Sequence, residues 1–291
     1  MMQASVAPAK AAEAPSGLHR RASLDPATVV GLVVGLGAVI FSFLLEGGHI
    51  EALVNVPAAL IVFGGTFGAT LLSSSPSIIL KIPRLIAKAV MPSAIDEMEA
   101  IGLIASLAET ARRDGLLALE ARANALGDPF LQRGIQLVVD GAEPETVREV
   151  LALELEQMTL RHEEGYGVFT VMGGFAPTMG IIGTVMGLIH ALGSTSDPSK
   201  LAGAIAVAFI ATLYGVSSAN LVWLPFGSKL RSISEREANL RRLMTQGLLA
   251  IQSGENPRTV REKLLGFLPP ARRVQRNVKA SAAKAIQEEA A

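Results

Sequence analysis

The sequence contains no cysteine, which excludes disulfide frameworks, cysteine-ligated zinc and thiol nucleophiles together. Charge is also scarce. Asp, Glu, Lys and Arg make up 18% of 291 residues, against roughly a quarter in an ordinary soluble domain. Acidic and basic residues balance at 26 each, so the net charge is zero. That argues against a nucleic-acid binder with a strongly basic face and against an acidic disordered chain. Four histidines leave little room for a His-rich metal site, and aromatics reach only 4%. Period-2 alternation of the kind that marks strands is missing as well.

What the chain does have is apolar length. Half the residues are hydrophobic, 28 are glycine, and the mean hydropathy is +0.41. Closely packed membrane helices use small residues in this way. Four stretches, 27–45, 52–72, 165–193 and 201–227, hold no Asp, Glu, Lys or Arg. A bilayer core takes about 20 helical residues. The first two stretches just span it, while the last two are long enough to tilt or project. The first follows Arg20 and Arg21 like a signal peptide, but no small-x-small cleavage site follows, so it reads as an uncleaved anchor. Of 26 Lys and Arg residues, 25 lie in segments 1–26, 73–164 and 228–291, and only Lys200 lies in an opposite loop. The positive-inside rule then places both termini and the long middle segment in the cytoplasm.

The expected organisation follows. Residues 1–25 are a disordered cytoplasmic N-terminus, and 26–72 hold the first two membrane helices. Residues 73–164 form a helical cytoplasmic domain, and 165–227 hold the third and fourth membrane helices. Residues 228–268 are cytoplasmic helices and 269–291 a disordered tail. Within the middle segment, 92–113 reads as a helix stopped by Gly115, and 116–126 as a second helix ended by Gly127. Asp128 caps a third, with Pro129 at its first position. Pro144 opens a fourth that runs toward His162. Residues 229–253 read as a separate amphipathic helix, and Asn256-Pro257 begins a short last one. The fold class is all-α integral membrane protein.

The third stretch carries Pro177 and eight glycines, and the fourth carries Thr212, Tyr214, Ser217, Ser218, Asn220 and Pro225. Pro177 removes a backbone hydrogen bond in mid-helix. Thr184 and Thr212 lie nine and eleven residues from the outer ends of their stretches, roughly 14–17 Å in at about 1.5 Å per residue. They either face one polar site or each bond back to their own helix. Ion paths in membranes use Asp, Glu or His, yet these stretches contain no acid. If this chain conducts an ion, another polypeptide supplies the carboxylate. A secondary transporter would show an internal repeat, and a membrane enzyme would carry a nucleophile or an acid–base pair in its spans. The sequence shows neither, so no catalytic or metal-ligating residue is assigned.

Several ordered motifs carry a family resemblance. They are Ala111-Arg112-Arg113-Asp114-Gly115-Leu116-Leu117-Ala118-Leu119-Glu120, Val139-Asp140-Gly141, Arg161-His162-Glu163, the run from Ala176 to Gly187, Ala211-Thr212-Leu213-Tyr214-Gly215, and Asn220 with Pro225. From about residue 26 to 268 the chain resembles the MotA/PomA family, the channel-forming stator subunits of the bacterial flagellar motor. The resemblance implies an inner-membrane homopentamer around two MotB/PomB-type partners that carry the ion-binding Asp. It implies torque on the rotor protein FliG, no covalent chemistry, and no cofactor beyond transported H+ or Na+. Arg112 and Glu120 match the rotor-facing charges. Thr184, Thr212 and Tyr214 match the ion path, and Pro177 and Pro225 match the prolines that couple ion binding to conformational change. Hydroxyl oxygens suit Na+, but the Ile189–Gly193 stretch favours protons. A TolQ/ExbB-type energiser of a non-flagellar process is the alternative; its three spans fit less well than four.

Overall fold

The computed structural model describes Leu18 and residues 21–193 and 198–273, and it is helical apart from one two-residue pairing, Arg21–Ala22 with Ser93–Ala94. The chain divides into two compact units. One holds Ala22–Ser93 and Gln157–Arg236; the other holds Met1–Arg21, Ala94–Glu156 and Glu237–Ala291. Among the described residues, four helices are long and apolar enough to cross a membrane.

The first unit contains all four spans. Helix α1, Pro26–Leu45, starts where Asp25 accepts from the Ala27 N–H at 3.2 Å and from the Thr28 hydroxyl at 2.9 Å. These bonds satisfy a free helix-end donor and fix the entry of the chain. No residue of α1 is buried within the chain, so its apolar surface is turned outward. The second span begins later than the hydropathy alone suggests. A 3₁₀ turn at Ile50–Leu53 precedes Asn55, whose side chain accepts from the Ala58 N–H at 2.9 Å. Helix α2 then runs as α-helix over Val56–Ala59, passes through a π turn at Leu60–Gly64, and continues over Gly65–Ser73. After a single turn at Pro76–Ile79 comes α3, Ile82–Val90.

The other unit has its own apolar core. Ile101, Ile104 and Leu107 of α4 (Glu97–Asp114) pack there with Leu119 of α5 (Ala118–Ala123) and with Leu131 and Ile135 of α6 (Pro129–Val139). Positive φ at Gly115 and Gly141, +85° and +76°, ends α4 and α6 as expected, because a side chain there would clash. The second helix of this segment is shorter than 116–126 and covers only α5. Asp128 caps α6, accepting from the Leu131 N–H at 3.1 Å, and also meets Arg241 Nη1 at 2.5 Å. Arg241 lies 4.9 Å from the centre of the Phe130 ring, and both charged side chains are almost wholly buried.

Two expected boundaries disappear. The helix from Pro144 does not stop near His162; α7 runs unbroken from Pro144 to Gly193, with Pro177 inside it. No proline lies between 158 and 168 and the glycines at 165 and 167 do not interrupt the helix, so the helix from Pro144 and the third span are one element. Helix α8, Pro198–Ser218, likewise passes through a π turn at Ala219–Trp223 into α9, Leu224–Gln252, so the separate helix expected at 229–253 is a continuation of the fourth span. Asn256 then caps α10, Pro257–Leu265.

The expected disordered termini fall largely outside the described residues. Of those described, Arg272 pairs with Glu97, and Arg273 donates to the Leu268 and Gly266 carbonyls, so 269–273 is held in place.

Candidate functional site

The third and fourth spans meet backbone to backbone. A methyl group added at Gly215 would stand 2.5 Å from the Ala176 carbonyl oxygen, and one at Gly180 would stand 2.9 Å from that of Ala211. At Gly183 and Gly187 it would meet the Cβ atoms of Ala211 and Ala208 at 2.7 and 2.8 Å. Small residues at these positions are what permit so close an approach.

Next to this seam the two threonines come together. The Thr184 hydroxyl lies 2.5 Å from the Thr212 hydroxyl, 2.9 Å from the Ala208 carbonyl and 3.0 Å from the Gly180 carbonyl of its own helix. Each hydroxyl has one proton. The one Thr184 proton has three acceptors in reach, so the contact with Thr212 does not exclude the back-bond to its own helix. The level of the pair is also defined. Ile61, in the second turn of α2, packs over Gly183. The threonines therefore sit level with the first half of α2, and α7 and α8 continue past its Val56 end. Replacing Thr184 with Ala removes one interhelical bond. Detergent-solution melting should show a loss of about 0.6–1.7 kcal/mol, the range for side-chain bonds between membrane helices, with the chain still folded.

Tyr214 is placed differently. Its hydroxyl donates to the Leu53 carbonyl and accepts from the Asn55 N–H at 3.1 Å. Its ring lies 6.0 Å from that of Phe63. The tyrosine thus clasps the start of α2 and is not part of the Thr184–Thr212 contact. Sequence reasoning did not link Asn55 to it, because the two are 159 positions apart.

Pro177 and Pro225 lie at different levels: Ala176 faces Gly215, while Gly227 faces Phe169 and Tyr166. Pro177 cannot donate to the Gly173 carbonyl, and Gly173 is covered by the Leu224 side chain, next to Pro225. Pro225 stands two residues after the end of the π turn. It cannot donate to the Leu221 carbonyl, and the Leu224 N–H bonds back five residues to Ala219. A missing donor is a recognised cause of such local unwinding.

One turn after Pro225, Lys229 pairs with Asp25. The Lys229 ammonium and then the Thr28 hydroxyl hold the Asp25 carboxyl below the usual carboxylate range. A depressed value means the pair is fully formed at neutral pH and is lost only as pH falls through that lowered value.

In the other unit Arg112 lies in the last turn of α4 and Glu120 in the first turn of α5, on either side of Gly115. Both are exposed and neither has an ion-pair partner among the described residues. Arg113 does not pair with Glu109 at helical spacing; it makes a two-point contact with Asp114 at 2.8 and 2.9 Å.

These features define a multi-pass membrane protein whose spans form a glycine-packed hairpin with a polar threonine node and no acid of their own. Two family models match the sequence. The MotA/TolQ/ExbB proton channel family matches residues 122–243, and the motility protein A N-terminal region matches residues 29–115. Motility protein A of Borreliella burgdorferi is 38% identical over 254 residues, covering 87% of this chain and 98% of that protein. Chemotaxis protein PomA of Vibrio alginolyticus is 37% identical over 250 residues, covering 86% and 98%. The flagellar MotAB stator complex from Bacillus subtilis superposes with a TM-score of 0.81 at 35% identity, covering 86% of this chain and 99% of that one. The chain belongs to the MotA/TolQ/ExbB proton channel family. Within it, the chain is a stator channel subunit of the flagellar kind.

Proposed function

We propose that this chain forms the ion path of a flagellar stator as a ring of five around two copies of a MotB/PomB-type partner. The observation that carries this reading is the pairing of Thr184 with Thr212 in spans that contain no acidic residue. A polar node without a carboxylate is half of an ion site, and a partner span carrying Asp completes it. The likeness to the MotAB complex supports that partner. Both termini and residues 73–164 face the cytoplasm of a bacterium, by the distribution of Lys and Arg. The membrane is the inner one, and lipid covers the outward face of α1.

The ion is H+. Thr184 and Thr212 satisfy each other, so their oxygens are not held open as a cage for a dehydrated cation. Tyr214 holds the outer end of α2 beside the path. Pro177 and Pro225, each with a missing backbone donor, are where the spans bend when the partner's Asp changes protonation. Arg112 and Glu120 engage the charges of FliG on the rotor. The chain does no covalent chemistry.

Deleting the gene tests the reading: the cells should keep their flagella and stop swimming. A protonophore should stop wild-type swimming, and sodium removal should not. The rotor contact has its own prediction. Arg112→Glu and Glu120→Lys replace exposed, unpaired side chains, so each should shift stability by less than about 0.5 kcal/mol. Each puts like charge against like, so swimming should fall by about tenfold or more while membrane levels hold. Normal swimming in both variants would remove the rotor role.

A further inference from the structure

Helix α1 touches the rest of its unit at few points, and one polar tie stands out. Asp25 is held from several sides. Its backbone N–H donates to the Val90 carbonyl at 2.9 Å, and its carboxylate caps α1 and accepts from Thr28. Lys229 reaches this fixed carboxylate from α9 across 204 positions of sequence. It stands four residues after Pro225, hence on the same helical face, one turn further on. That face borders a cavity of about 370 Å³ lined by Thr28, Gly31, Asn220, Leu221, Pro225 and Lys229, among others. At the cavity's other end Leu221 packs against Gly35 of α1.

We infer that Asp25 and Lys229 are positioning residues for the coupling step: they pin the turn after Pro225 to α1, so that bending at the π turn and Pro225 moves the span against a fixed point. This rests on the stator reading above. The argument is mechanical. The segment 219–225 combines a π turn with a proline, so the backbone hydrogen-bond ladder of the fourth span is interrupted there. The cavity borders Asn220, Leu221 and Pro225 of this stretch, so α1 does not close fully against it. Without a tie beyond the bend, motion at Pro225 would swing the helix freely and do no directed work. The tie is polar, partly solvent-reachable and four residues from the bend, so it restrains the helix without filling the cavity.

The carboxylate also serves as a helix cap, and the two roles separate cleanly. Asn caps as well as Asp, so Asp25→Asn removes the charge and keeps the cap. The test measures stall torque per stator unit, from stepwise speed changes of a bead on one flagellum, together with membrane levels. Asp25→Asn and Lys229→Gln should each lower torque per unit about two- to fivefold, the range set by a partly exposed ion pair, at unchanged membrane levels. The double variant should be no worse than the weaker single, because both remove the same interaction. Lys229→Arg should restore torque to within about twofold, since it keeps the charge on a stem of similar reach. Unchanged torque per unit in both singles, additive losses in the double, or a loss of units with torque per unit intact would each overturn the tie. A wild-type chain that never drives rotation would instead overturn the stator reading, and the tie with it.

Discussion

Leucine at position 215 should split the α7–α8 hairpin and remove the protein from the membrane fraction. Even a methyl group there would stand 2.5 Å from the Ala176 carbonyl oxygen and 3.1 Å from the Gly180 Cα. Both obstacles are backbone, which cannot rotate away as a side chain can. The helices must move apart, and they would separate at the seam that also joins Thr184 to Thr212 and the Ala208 carbonyl. Overpacking a well-fitted core costs about 1–3 kcal/mol where side chains can yield, and this site yields less. Gly203→Ala on the same helix is the control. An added Cβ meets nothing there, and Ala is a better helix former than Gly by about 0.5–1 kcal/mol. Immunoblotting of membranes and melting in detergent should show Gly215→Leu lost or strongly destabilised and Gly203→Ala intact. Wild-type amounts and melting of Gly215→Leu would refute the backbone contact.

The second large effect lies in the other unit. Arg241→Met should destabilise that unit by about 3–5 kcal/mol, because it strands the Asp128 charge in a buried site. Side-chain exposure there is 2% for Asp128 and 7% for Arg241. The stacking of the guanidinium on Phe130 is lost as well. Adding Asp128→Asn should recover most of the loss. It removes the stranded charge while the amide oxygen still caps α6 at the Leu131 N–H. Limited proteolysis of the detergent-solubilised chain reads this directly. Rapid cleavage within 94–156 is expected for Arg241→Met and slower cleavage for the double variant. If the double variant is cleaved faster than Arg241→Met, the buried charge is not what destabilises the unit.

Much of this was legible from the residues. The four spans follow from runs without charge. Asp128 with Pro129, and Asn256 with Pro257, mark helix starts, because capping chemistry is local. The meeting of Thr184 and Thr212 came from counting residues inward from the two outer ends. That count works because the helices are antiparallel and joined by a short loop. The start of α2 is not marked by hydropathy; it is set by the Asn55 cap and the Tyr214 clasp.

Other features had no local signal. Between 158 and 168 the hydropathy changes while the helix continues, so the sequence marks a change of surroundings and not a break. The π turn at Ala219–Trp223 is rationalised by Pro225 only once the helix is known to continue through it. The pairs Asp25–Lys229 and Asp128–Arg241 join residues 204 and 113 positions apart. Each charge looks like an ordinary solvated residue until the fold closes around it.

The central claim is that the spans of this chain build an ion path that works only with a carboxylate from another chain. Proton flux into liposomes tests it most directly. A pH-sensitive dye inside the vesicles would report flux for the chain alone, for the chain with a one-span partner bearing the Asp, and for the chain with an Asp→Asn partner. The account predicts flux only with the Asp-bearing partner. Steady flux through the chain alone, equal to that of the complex, would contradict it.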